Sequence, residues 1–465
     1  MSADRPINAD VEGQQEPPEP VGKPKDAEEQ PQEAPREKPT PKPGEPSRRR
    51  GIPGPIKLVT ALVLIAVGFI VLAIVAGGGS KKGDGGAASA VTTTVTTPHE
   101  STTTSSESEE GEASSAGAEE LGYPSFATSN TTRIGGSDPI SNAAAAALAV
   151  FPGTNEKQRP VAVTLVGTED WAGAIAAAVL MAEPIRAPLL FAEAEDVPGP
   201  TAEALGTLQP GGGAASGGHA VFAVGNVQVP QGMRAARVAA GDPASEAAAI
   251  AALRDRIAGS KPEAILLASS SEPAFAAPAA AYAARSGDPV LFTDAKELPQ
   301  QTIAALGRDK GVPVYALGPG SAISNKVLKQ VEEAGGTKVQ RIAGDNPVAA
   351  AIAFARYDHG KFGWHVADPG HGFVLARSDA PLEAAAAAPL SASGTWGPLL
   401  LTDNADTLPS ELRGYFLDVK PGYTSDPTRA FYNHVWIIGD AGQISVEQQA
   451  EVNEVAELAK IGSEE

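Results

Sequence analysis

"RIAGDNPVAAAIAFA" (Arg341–Ala355) places an arginine, an aliphatic residue and small residues ahead of an Asx-Pro turn and an alanine run. The same order occurs in "RVAAGDPASEAAAIAA" from Arg237 and in "RIGGSDPISNAAAAALA" from Arg133. Each start lies 104 residues after the previous one. Equal spacing of a pattern seven residues long marks a threefold internal repeat and sets the fold reading for everything downstream.

Each repeat contains the same succession of elements. Asp138, Asp242 and Asn346 stand where a helix N-cap belongs, with proline next, and an alanine-rich helix follows. An apolar run comes next: "VAVTLV" from Val161, "AILLA" from Ala264, "GFVLA" from Gly372. A second alanine helix leads to "APLLFAEAEDVP", "DPVLFTDAKELP" or "GPLLLTDNADTLP", and a third helix to "HAVFAVGN", "VPVYALGPG" or "HVWIIGDAG". Short, continuously apolar runs separated by helices are the pattern of parallel strands covered on both faces. The expected class is α/β, in three tandem units at 131–236, 237–340 and 341–460.

The chain ahead of the repeats differs in composition. Residues 1–55 are rich in Pro, Glu and Lys and hold almost nothing apolar before Ile52, which predicts a disordered tail. From Ile56 to Ala76, "IKLVTALVLIAVGFIVLAIVA" is uncharged after Lys57. At about 1.5 Å per residue this run spans roughly 30 Å, enough for one transmembrane helix at 56–76. Lys42, Arg48, Arg49, Arg50 and Lys57 precede or open it, against Lys81 and Lys82 beyond, so the positive-inside rule puts the N-terminus in the cytoplasm. Residues 77–130, rich in Ser, Thr and Gly, read as a flexible spacer. The chain has no cysteine, which excludes disulfides and thiol chemistry. From Leu121 onward 24 basic residues stand against 37 acidic ones, a net −13 that argues against nucleic acid as a partner.

The "R-[IV]-x-G" start, the alanine helix, the "P-[LV]-L-[LF]-T-D…LP" strand and turn, and the aliphatic strand ending in glycine resemble the cell wall binding repeat 2 family. The resemblance runs from Arg133 to about Leu458. It implies three Rossmann-like or Toprim-like modules around a pseudo-threefold axis, and non-covalent retention in a Gram-positive wall through an anionic polymer or a peptidoglycan-associated glycan. Two departures stand out. The family's first motif continues "D-R-Y-x-T-A", whereas Pro139-Ile140, Pro243-Ala244 and Pro347-Val348 replace the Arg-Tyr pair here. At the family's second acidic motif this chain has Gly173 and Phe275, and only the third unit keeps an acid, Glu383.

The candidate polymer-binding residues are Arg133, Arg237 and Arg341, with Glu383 and Trp364. A guanidinium matches a phosphate or carboxylate in bidentate fashion. The same arginines, tied to the repeat register, also suit an architectural role against loop or helix carbonyls. Glu193, Asp294 and Asp403 follow the second strand of each unit and read as turn acids or as ligands for a cation or sugar hydroxyls. In the third unit "YDHGKFGWHVADPGHG" places His359, His365 and His371 six residues apart, a spacing from which a loop could gather three metal ligands. Trp364 lies among them, suited to stack on a sugar. Gly318, Gly320, Gly439 and Gly442 form turns without a nucleotide fingerprint, and no cofactor is implied.

The expectation is a single-pass membrane protein with extracellular repeats that bind wall polymer without catalysis, and with protein partners for its N-terminal tail. A protein-interaction scaffold that no longer binds polymer is the alternative, and an enzyme acting on wall sugars is third. Arginines gathered in a basic patch would support polymer contact. Arginines buried and paired would support the scaffold.

Overall fold

The computed structural model describes residues 126–393 and 397–462. The tail, the membrane span at 56–76 and most of the spacer lie outside the described residues. Among the described residues no helix is long and apolar enough to cross a membrane.

The described chain opens with β1 (Phe126–Ala127) and β2 (Thr131–Ile134), then α1 (Pro139–Val150), β3 (Val163–Val166), α2 (Trp171–Ala177), β4 (Leu189–Phe191), α3 (Gly199–Leu208) and β5 (Val221–Val224). Next come β6 (Ala235–Val238), α4 (Pro243–Ala258), β7 (Ile265–Ser269), α5 (Pro273–Ala276), α6 (Pro278–Ser286), β8 (Val290–Thr293), α7 (Gln300–Arg308) and β9 (Val314–Leu317). The last stretch holds α8 (Asn325–Gly335), β10 (Val339–Ile342), α9 (Pro347–Arg356), β11 (Gly372–Arg377), α10 (Pro381–Ala386), α11 (Ala388–Ala392) and β12 (Leu399–Thr402). It ends with α12 (Ser410–Asp418), β13 (Gly422–Tyr423), β14 (His434–Ile438), α13 (Val446–Ala456) and β15 (Ala459–Lys460). The Asx-Pro turns cap their helices as the sequence implies. Asp138 Oδ1 accepts from Ile140 and Ser141, Asp242 Oδ1 from Ala244 and Ser245, and Asn346 Oδ1 from Ala349.

The apolar runs assemble into sheets of one strand order. The first is β4-β3-β5-β6, the second β8-β7-β9-β10, and the third β12-β11-β14-β2, with β1 added at its edge. Every pairing is parallel except β1 with β2. β13 and β15 form a separate small pair. The fourth strand of each sheet carries a repeat arginine, which the sequence reading did not treat as part of a strand. β6 and β10 therefore belong to the sheet built by the residues before them. β2, the first of the three, pairs with β14 near the other end of the chain, Arg133 opposite Ile437. Sequence repeat and sheet are offset by one strand, and the third sheet is completed by the start of the described chain.

The helices that follow the first strand of each sheet, α2, α5–α6 and α10–α11, pack against one another. Their buried positions are largely alanines: Ala174, Ala176 and Ala177 in the first, Ala276, Ala280, Ala283 and Ala284 in the second, and Ala384 to Ala388 in the third. Small side chains let helix axes come to the short end of the usual 8–10 Å range. The alanine content that resembles low complexity is thus a packing requirement. Ala280→Leu is expected to destabilise by about 1–3 kcal/mol through overpacking. Ala304→Leu, on the exposed side of α7, should change stability by less than about 0.5 kcal/mol; urea unfolding of the two variants checks the difference.

Candidate functional site

The repeat arginines come first because they recur in register. Arg133 is 3% exposed. Its Nη1 donates to the carbonyls of Gly439 (3.0 Å) and Asp440 (2.7 Å), its Nη2 to those of Ile444 (2.6 Å) and Ser445 (3.4 Å), and its Nε to Gln449 Oε1 (3.0 Å). The planar fork satisfies the inward carbonyls of the loop that joins β14 to α13; Asp440 and Ser445 also accept backbone amides, whereas Gly439 and Ile444 rely on the arginine. Arg341 does the same between β9 and α8, reaching the carbonyls of Gly318 (2.8 Å) and Ile323 (2.6 Å) and Asn325 Oδ1 (3.2 Å). Arg237 is exposed and makes one such bond, to the Val227 carbonyl (3.1 Å). The difference has a local cause. β6 and β10 are edge strands, whereas β1 covers the outer side of β2. Thr128 and Asn130 beside β1 also bond to Asn453 on α13.

Glu383 sits at the third position of α10, 8% exposed, and accepts from Gln443 Nε2 at 3.2 Å. Burial raises its pKa, with the Gln443 bond opposing. The turn acids divide: Glu193 accepts from Thr168 Oγ1 (2.6 Å), and Asp294 accepts from its own turn at Lys296 N (3.0 Å).

The segment of the third unit that holds the histidines folds onto the amino-terminal edge of the second sheet. Phe362 stacks on Tyr315, ring centres 3.5 Å apart and planes within 1°, and lies 4.6 Å from the ring of Tyr282. Gly363 N donates to Tyr282 Oη (3.0 Å), and a Cβ at Gly363 would collide with the Tyr357 carbonyl, so the close approach requires glycine. Trp364 is 5% exposed, with the Tyr282 ring edge-on at 5.5 Å and the Arg285 guanidinium 5.0 Å from its centre. Its indole is part of the core between two units and not an open sugar platform. The histidines separate: His359 Nδ1 pairs with Tyr315 Oη (2.8 Å), His365 with Asp358 (3.0 Å), His371 with Asp368 (3.1 Å). Among the described residues no three His, Asp or Glu are grouped to hold a metal ion, so the expected histidine site does not assemble.

This aromatic segment walls a cavity of about 840 Å³. Arg254, Lys261, Arg285 and Lys361 line it together with Tyr282 and Tyr315. Two acids also line it, Glu263 and Asp288. Asp288 is buried, accepts from Ala264 N (2.8 Å), and burial pushes its carboxyl pKa up. Glu263 takes Lys361 (3.4 Å), and Arg254 is held by Asp255 (3.1 Å). Among the ion pairs of the described residues neither Arg285 nor Lys261 takes part. The result is a positively charged hollow with aromatic walls on a fold of net negative charge, chemistry that suits an anionic group attached to a ring. No local motif announced it: Arg254, Arg285 and Lys361 come from α4, α6 and the inserted segment.

Residues 237–328 match the family model described as Cell wall binding domain 2 (CWB2), which bears out, over the second unit, the resemblance read from the repeats. Among solved structures the chain is similar to Cwp6 from Clostridium difficile (18% identity, TM-score 0.56, 70% of this chain and 47% of that one). It is also similar to Cwp8 from Clostridium difficile (19% identity, TM-score 0.54, 71% and 52%). At that identity the similarity shows a shared fold, and the chain spans about half the length of each. No curated protein matches the chain.

The arginine geometry predicts a graded response. Arg133→Ala should cost about 3 kcal/mol by leaving the Gly439 and Ile444 carbonyls and the Gln449 side chain without their donor, Arg341→Ala less, and Arg237→Ala no more than about 0.5 kcal/mol. Urea unfolding of the three variants measures it.

Proposed function

We propose that the chain is a cell-wall-associated protein, a reading supported by the match of residues 237–328 to Cell wall binding domain 2. We propose that it is a non-catalytic anchor, tethered by a membrane helix at 56–76 with its N-terminus in the cytoplasm, whose three modules, set around a pseudo-threefold axis, hold an anionic wall polymer. The observation that carries the polymer reading is the cavity of Arg254, Lys261, Arg285 and Lys361 between aromatic rings. In this reading polymer contact belongs to that cavity, while Arg133 and Arg341 hold loops and Trp364 orients Arg285. The buried, paired state of Arg133 favours one further reading, a scaffold for another protein, in which the repeats serve as fold alone.

Co-sedimentation of residues 121–465 with wall sacculi, before and after acid extraction of anionic polymers, separates the two. The anchor reading expects binding that is lost on extraction, weakens with salt, and falls about tenfold or more in the Lys261→Ala, Arg285→Ala double variant. Absence of sedimentation at low salt would leave the scaffold.

A further inference from the structure

At the carboxyl edge of each sheet, between its first and third strands, lies the crevice where open α/β sheets bind ligands. The three differ in what stands at the third position of the helix beyond the first strand. In the second sheet Phe275 fills the space, close enough that a Cβ at Gly318 would lie 3.3 Å from it. In the third, Glu383 is paired with Gln443. In the first the position is Gly173, and a cavity of about 480 Å³ remains.

Two carboxyl groups face each other there. A Cβ at Gly173 would collide with the Asp170 carboxylate, so the glycine lets Asp170 fold back over the start of α2. Asp170 Oδ1 caps that helix at Gly173 N (2.7 Å), and its Oδ2 is withdrawn from solvent, with no N–H group donating to it and the Glu246 carboxyl beside it. Glu246 on α4 is 4% exposed, and its Oε1 accepts from Gly241 N (2.8 Å). Both converge above Gly225, where a Cβ would lie 3.9 Å from Glu246 Oε1 and 4.0 Å from Asp170 Oδ2. Glu169 and Glu193 also line the cavity, no Lys, Arg or His does, and the Trp171 indole forms one wall.

Two helix N-termini point here, which would ordinarily favour an anion. Carboxylates of the chain already occupy amides there: Asp170 takes Gly173 N of α2, and Asp242 takes Ala244 N and Ser245 N of α4. An incoming anion meets acids, whereas an incoming cation meets two carboxyl groups that share a proton in its absence. Among the described residues no three His, Asp or Glu are grouped to hold a metal ion, so the crevice is read as a site for an organic cation.

We propose that this crevice binds a primary ammonium group, carried by an amino sugar or by a lysine-type side chain, with Asp170 and Glu246 as its anionic partners and Trp171 against its stem. The site is separate from the basic cavity of the second sheet and does not depend on polymer binding there. Burial, then the hydrogen bond and charge of Asp170, push the Glu246 pKa up to about 8, with the Gly241 amide opposing and Asp242 adding to the rise. Ligand ammonium therefore replaces a proton: Glu246 releases one to solvent as the ion pair forms, and the ammonium keeps its own three.

The test is calorimetric titration of the folded part with Nα-acetyl-lysine amide and with glucosamine, each beside its N-acetylated counterpart. Both amines, or one of them, should bind where the acetylated forms do not, and the stronger arm identifies the source. For the lysine derivative, whose amine stays charged to about pH 10, affinity should rise about tenfold from pH 6 to pH 7 with release of close to one proton. Asp170→Asn, which retains an N-cap side chain, and Glu246→Gln should each weaken binding at least tenfold and abolish the proton release. Equal binding of acetylated and free amines, binding of neither at millimolar concentration, calcium binding in place of amines, or affinity unmoved by pH and by both substitutions would overturn the proposal. The comparison of free and acetylated ligands uses the unaltered protein, so it stands even if a variant misfolds.

Discussion

The pairing of β2 with β14 is the constraint on which the rest depends. Sheets one and two each borrow their fourth strand from the residues that follow, a local matter for a chain that continues. The third sheet takes its fourth strand from the beginning of the repeat array. β2 closes it across about three hundred residues, and Arg133, carried by that strand, satisfies the carbonyls of the loop ahead of α13. Loop-closure entropy grows only slowly with length, so the long span costs little more than a short one would. The three sheets then share one order, and the alanine helices beyond each first strand meet in the middle.

That arrangement explains which equivalent positions were free to diverge. Arg133 is the most buried of the three arginines because only β2 has a neighbour on its outer side. The residues at Gly173, Phe275 and Glu383 stand at equivalent crevices on the carboxyl edges, where one position is open, one filled and one paired. The inserted segment of the third unit crosses to the second sheet, where Phe362 and Trp364 are absorbed into a cluster with Tyr282, Tyr315 and Phe354.

The strands of each unit were legible because burial on both faces forces unbroken apolar runs such as "VLFT" and "LLLT". The Asx-Pro caps were legible from local chemistry alone. "TTRI", "AARV" and "VQRI" were not, since edge strands carry mixed residues that any loop could hold. The carboxyl pair escaped notice for another reason. Asp170 reads as a helix cap and Glu246 as one charge in an alanine helix, and only the crossing of α2 and α4 brings them together. Likewise, a six-residue histidine spacing says nothing of direction, and each imidazole turned to a different partner. The basic cavity joins residues more than a hundred positions apart, beyond the reach of any local pattern.

The central functional claim, that an anionic wall polymer is held at the amino-terminal edge of the second sheet, is most directly examined by amide hydrogen exchange of the folded part with and without acid-released polymer. The account predicts slowed exchange confined to the segments around Arg254–Ala264, Tyr282–Asp288 and His359–Gly363. Protection centred instead on the loops held by Arg133 and Arg341, or no protection anywhere, would contradict it.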